Sequence, residues 1–217
     1  MSLKIFTNLS SLNSQRAMSI NSARLGSALE RIATGIRLQR SGDDIGAMSV
    51  SEALRGDVTA LKQGAKNLND GISMIQTADG ALNEQSSILI RLREITTQSA
   101  TGTIGDTERA TLQLEFTALR SEFDRIANTT EFNSRKLLDG SLAASSSDTT
   151  VLQLGLDSSD SNRFDLNQKI NLTAVTSSAL GFSTDSISTN AGALTAMANL
   201  TTAIEKLAAI RGRVGAA

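Results

Sequence analysis

The chain has 217 residues, a formal charge of −1, 40% hydrophobic content and only 3% aromatics, with no His, Cys, Trp, Tyr or Pro. Without His or Cys it lacks the commonest general base, the thiol nucleophile and nearly every transition-metal ligand set, so neither an enzyme nor a cofactor or metal site is expected. No disulfide can form, no apolar run approaches the ~18 residues of a membrane span, and Met1-Ser2-Leu3-Lys4-Ile5-Phe6 has no signal-peptide apolar core, so any export uses another route.

The scarcity of rings argues against one large compact core. Leu, Ile, Ala and Met instead suit helices packed side by side, a mainly α, elongated antiparallel bundle or coiled-coil rod. In chain order, Leu25, Leu29, Ile32 and Ile36 fall at helical spacing, and Gly35 with Ser41-Gly42-Asp43-Asp44 marks a break after them. Residues 1–42 therefore read as a terminal helix and its connector. Residues 1–40 carry six cations, Lys4, Arg16, Arg24, Arg31, Arg37 and Arg40, against Glu30 alone. With one aromatic and no dense basic run, this arm reads as a subunit contact or solvated face; neither nucleic-acid binding nor membrane insertion is expected.

From Val50 the apolar positions continue through Leu54, Val58, Leu61, Ala65, Leu68, Ile72, Ile75 and Leu82 in four-three spacing, the heptad seam of one long helix from Asp43 to Ala100. Gly56, Gly64, Gly71 and Gly80 each weaken that helix by roughly 1 kcal/mol, so lateral packing must hold it. Asp106 is a candidate N-cap for a second helix carrying Leu112, Phe116, Leu119, Phe123 and Ile126. Residues 43–140 thus form the rod helices. Residues 139–190 hold 18 Ser or Thr and no Glu, and within 141–189 the stretches Val151–Leu156 and Arg163–Asn167 read as two strands of a small β-hairpin at the rod's far end. A last seam, Met197, Leu200, Ile204, Leu207 and Val214, follows Asn190 as a candidate cap and makes 190–217 the C-terminal rod helix. No segment can hide its seam alone. Leu25, Leu29, Ile32, Ile36, Leu54, Leu61, Leu68, Ile72, Leu119, Ile126, Leu200, Ile204 and Leu207 are therefore the candidate packing and assembly residues. Gly42-Asp43-Asp44 could suggest a carboxylate metal site, but adjacent carboxylates at a turn more often cap the next helix.

These residues also carry a resemblance. Ala28-Leu29-Glu30-Arg31-Ile32-Ala33-Thr34-Gly35-Ile36-Arg37 and then Ser41-Gly42-Asp43-Asp44-Ile45-Gly46 resemble the N-terminal signature of the bacterial flagellins. Asn69-Asp70-Gly71-Ile72-Ser73, Thr77-Ala78-Asp79-Gly80-Ala81-Leu82-Asn83-Glu84, Arg91-Leu92-Arg93-Glu94-Ile95-Thr96-Thr97-Gln98-Ser99 and Glu131-Phe132-Asn133 look like its later motifs, in family order. Each is weak alone; together they are highly specific. Arg211-Gly212-Arg213-Val214-Gly215-Ala216 is similar to the start of the conserved C-terminal half. Flagellins continue past this point into a terminal helix that pairs with the N-terminal one, so the resemblance implies a C-terminally truncated chain with a minimal variable region.

What the resemblance implies is a structural subunit exported through the flagellar type III channel and polymerised outside the cell into the filament of the bacterial flagellum. The implied partners are further copies of itself, the export chaperone, cap and junction proteins, and Toll-like receptor 5, with Arg91, Ile95, Gln98 and Glu115 at the receptor-binding positions. Flagellins that activate the receptor carry Leu where Ile95 stands. A hook–filament junction protein shares the helical plan, but the Asn69-to-Glu84 and Arg91-to-Ser99 motifs favour a filament flagellin. A chemoreceptor cytoplasmic hairpin would share the heptads without the β-hairpin.

Overall fold

Helix α1 (Leu9–Thr34) begins where the side-chain oxygen of Asn8 accepts the amide of Ser11 at 3.3 Å. It ends at Gly35, whose φ of 68° is the left-handed conformation that favours glycine at a helix end. The computed structural model describes residues 8–38, 42 and 44–216. Helix α2 (Ile45–Ala100) starts slightly later than expected, because the Asp44 carboxylate accepts the Ala47 amide at 2.9 Å and is itself the cap; Asp43 lies outside the described residues. The chain divides into two compact units, 1–59 and 60–217, with the boundary inside α2. In the first unit no residue of α1 is buried.

In the second unit, α3 (Asp106–Thr129) and α6 (Asn190–Ala216) run antiparallel to α2. Arg91 meets Glu115 and Gln85 meets the Phe123 backbone, which sets α3 against α2. Asn190 reaches Ala100, and Arg211 lies 3.5 Å from Asp79, which sets α6. Met74, Ala78, Leu82, Leu89, Leu92 and Ile95 of α2 share one core with Phe116 and Phe123 of α3 and Ala193, Ala196, Leu200, Ala203, Leu207, Ile210 and Val214 of α6. Few as the rings are, three of the six phenylalanines anchor this core, and Phe123 and Phe182 meet edge to face at 5.3 Å.

The α2 seam differs from expectation. Leu61, Ala65, Leu68 and Ile72 are exposed, and the buried face runs through Gly64, Gly71, Met74 and Ala78 before reaching Leu82. The physical reason is close approach: residues without bulk let backbone and side chains of the return segment lie on the helix. Two cap expectations also change. Asp106 is the first residue of α3, after Gly105, and Thr189 caps α6, its hydroxyl accepting the Gly192 amide at 3.1 Å while Asn190 donates its side-chain amide to Ala100.

Between α3 and α6 lies a return segment. Strands β1 (Glu131–Phe132) and β2 (Arg135–Lys136) form a tight hairpin whose turn, Asn133 and Ser134, has φ of 50° and 63°, the type I′ geometry. Strands β3 (Val151–Gln153) and β4 (Arg163–Asp165) pair antiparallel with Leu152 opposite Phe164, the hairpin expected from the sequence, at the end of this unit opposite the α2–α3 turn. The expected second strand stops short of Asn167: the Asp165 carboxylate accepts the Gln168 amide at 3.2 Å and starts the short helix α4 (Leu166–Ile170). A further short helix, α5 (Ser177–Leu180), precedes α6.

Candidate interaction surfaces

The first candidate surface lies where α2 and α3 run side by side. Heptad-like spacing sets Glu84, Arg91 and Gln98 on α2, and Glu108 and Glu115 on α3, on exposed turns, with Glu122 half-buried one heptad further on. The Arg91 guanidinium holds Glu115 through Nε at 3.1 Å and Nη2 at 2.8 Å, and Glu94 through Nη1 at 2.7 Å. The hydrogen bond that Arg91 donates to Glu115, then the one it donates to Glu94, raises the Arg91 pKa above its ordinary value. Because all three side chains are well exposed, the pairs orient the guanidinium and add little stability. Gln98 is exposed on the next turns. Ile95 is not: at 1% exposure it belongs to the core and offers no contact from outside. Sequence spacing could not separate these, since a turn of helix carries both core and surface residues.

A residue missed by sequence reasoning holds the adjoining turn. Arg109, 7% exposed, donates from Nε to the Ser99 carbonyl at 2.9 Å and from Nη2 to the Thr101 carbonyl at 3.0 Å, and its Nη1 meets Asp106 at 3.1 Å. A cation bonded to the last carbonyls of a helix satisfies acceptors that the helix itself cannot.

The candidate assembly residues fall into two sets. Leu200 and Leu207 are buried, and Leu119, Ile126 and Ile204 pack half-buried on the same core. By contrast, Leu25, Leu29, Ile32, Ile36 and Leu54 in the first unit are exposed, as are Leu61, Leu68 and Ile72 in the second. The latter stripe leads to an apolar trough between α2 and α6 lined by Ile72, Ile75, Gly80 and Val214. Scattered exposed leucines need no explanation, but an ordered stripe on one helix does.

The return segment is fixed by polar anchors that composition did not reveal. Asn167 is buried: its amide nitrogen lies 3.0–3.1 Å from the carbonyls of Ser141, Ala143 and Asp148, and its oxygen accepts the Thr150 amide at 2.8 Å. Asp124 of α3 accepts both the amide and hydroxyl of Ser177, at 2.7 and 2.6 Å. From α6, Lys206 donates to the Leu180 carbonyl and Arg213 to those of Ile170 and Asn171, so cations meet the C-terminal ends of α5 and α4.

Comparison with known proteins adds what this geometry lacks. A family model described as the bacterial flagellin N-terminal helical region matches residues 5–143. The chain belongs to the bacterial flagellin family. This flagellin is 42% identical to a flagellin of Clostridium tyrobutyricum over 179 residues, which are 82% of the chain and 44% of that protein. It is 41% identical to one of Halalkalibacterium halodurans over 168 residues, 77% of the chain and 60% of the relative, so it spans about half the length of these relatives. The flagellar filament 30.7 kDa core protein of Treponema maltophilum aligns over 96% of the chain and 75% of its own length at 33% identity. The crystal structure of Bacillus cereus flagellin matches with a TM-score of 0.56 at 32% identity, over 68% of this flagellin and 80% of that one.

Proposed function

We propose that this flagellin is a structural subunit, with no enzymatic role, that is exported by the flagellar type III system and polymerises outside the cell into the flagellar filament. One observation carries this: Leu61, Leu68 and Ile72 form an ordered apolar stripe on α2 that the second unit leaves exposed although its core is otherwise complete. Surfaces of one chain that meet other surfaces of the next copy without closing into a ring build a filament. The same reading gives the export chaperone and the cap and junction proteins as further partners. Leu68→Asp and Ile72→Asp test it. Because both side chains are exposed in the monomer, the variants should keep the helical circular dichroism and thermal midpoint of the parent, yet pelleting and electron microscopy of secreted protein should find no filaments. Normal filaments from the double variant would defeat the reading.

A second role, recognition by Toll-like receptor 5, rests on the resemblance together with the exposed constellation of Arg91, Gln98 and Glu115. Ile95, buried in the core, offers a receptor no direct contact. Reporter-cell activation unchanged by Arg91→Ala would remove this role.

A further inference from the structure

The β3–β4 hairpin is attached very unequally at its two ends. At its root, Leu166, Asn167 and Ile170 are buried, and Asn167 bonds four backbone groups of residues 141–150. From Val151 to Asp165, by contrast, no residue is buried. The outer end rests on α2 at a seat made of Gly64, Asn67 and Gly71. A Cβ on Gly64 would stand 2.3 Å from the Leu154 carbonyl oxygen, and one on Gly71 would stand 2.4 Å from Leu152 Cδ1, so hairpin and helix approach as closely as backbones allow. Between the glycines, Asn67 donates to the Gln153 carbonyl at 2.9 Å, steadied by Gln63, which donates to the Asn67 oxygen at 3.0 Å.

Glycines permit close contact and give little to grip. The seat therefore consists of one side-chain hydrogen bond and half-buried side chains, Leu154 together with Leu152 and Phe164 at the edge of the core, whereas Leu166 and Ile170 at the root lie fully inside that core. Segments with few buried contacts open locally at a small fraction of the global free energy. We propose that the hairpin is a strap: it releases from α2 about the fixed Asn167 root, its three-residue strands then unpair because a two-stranded hairpin on its own is at best marginally stable in water, it reseats in the same register, and it braces the glycine-bearing turns of α2 only while seated. A seated strap stiffens α2 over Gly64–Gly71; a released one leaves two helix-weakening glycines unbraced. This conformational device is a property of the single chain and does not depend on the filament reading.

Hydrogen exchange at single-amide resolution on the whole chain decides it. The reporters are the amides of Leu154 and Gly155, which donate to Asn162, compared with those of Leu172 and Val175, which donate to Leu142 and Leu138 behind the root. The hairpin pair should exchange, after correction for intrinsic rates, at least roughly tenfold faster than the root pair. Asn67→Ala should accelerate the hairpin pair about fivefold, the value of one ordinary hydrogen bond, and leave the root pair unchanged. Equal protection of both pairs in the unmodified chain overturns the proposal, as does equal acceleration of both by the substitution. The unmodified comparison suffices if the variant is poorly folded, and failure to form filaments moves neither outcome.

Discussion

Replacing Gly64 by alanine sets two effects of known size against each other. In a bare helix the change stabilises by about 1 kcal/mol, because alanine loses less backbone entropy on folding. Here the new methyl group would lie 2.3 Å from the Leu154 carbonyl oxygen and 3.0 Å from its carbon, and these are backbone atoms that cannot rotate aside. Forcing a group into a filled site costs about 1–3 kcal/mol. The alternative is to lift the hairpin, which gives up the Asn67–Gln153 bond, worth about 1 kcal/mol, and the partial burial of Leu152, worth about another 1 kcal/mol. Either route cancels or exceeds the helix gain, so Gly64→Ala should be destabilising by about 0–2 kcal/mol. Gly80→Ala on the same helix is the control: nothing lies within 4 Å of its Cβ position, so it should stabilise by about 1 kcal/mol. Urea unfolding followed by circular dichroism measures both, and amide exchange at Leu154 and Gly155 reports whether the hairpin has lifted. If Gly64→Ala stabilises as much as Gly80→Ala does, the close seating of the hairpin on α2 is refuted.

Asn167→Ala should cost about 3 kcal/mol or more in urea unfolding, since it strands three carbonyls and one amide that the side chain now serves. Asn167→Asp should be no better, because a carboxylate would face those three carbonyls; parent-like stability in either variant would show that Asn167 is not the root. Ser134→Gly should raise stability by about 1 kcal/mol, relieving a side chain held at a φ of 63°, and a lowered thermal midpoint would argue against the type I′ turn. At the hairpin tip the hydroxyl of Ser159, then the side-chain amide of Asn162, then the Ser159 amide hold the Asp157 carboxyl below its ordinary pKa. A carboxyl whose pKa is lowered by folding stabilises the folded form fully above its ordinary value, and that contribution is lost as pH falls through the lowered one. Amide exchange at Ser159 and Asn162, corrected for intrinsic rates, should therefore speed up on acidification in the parent and be pH-insensitive in Asp157→Asn; identical profiles would refute the assignment.

Local chemistry was legible wherever a residue's role depends on its immediate neighbours in sequence. The break at Gly35, the span of α2, the turn before Asp106 and the pairing of Val151–Gln153 with Arg163–Asp165 follow from spacing, turn residues and alternation. Caps were legible only to within a residue, as Asp44 and Thr189 show, because several adjacent side chains could each serve. The type I′ turn at Asn133-Ser134 was overlooked because serine stands where glycine usually signals it. The receptor-like positions were recognisable only through family resemblance, and one of them, Ile95, turned out to belong to the core.

The sequence by itself determined the helical class, the heptad habit of three separated segments and membership of the flagellin family, since periodicity and motif order are properties of the chain alone. Which side of α2 is buried was decided by tertiary structure. The apolar stripe through Leu61, Leu68 and Ile72 and the small-residue stripe through Gly64, Gly71 and Ala78 lie side by side on one helix, and their neighbours chose between them. Leu152, Leu154 and α6 could approach only where side chains were small, so the glycines were buried and the leucines were left facing outward.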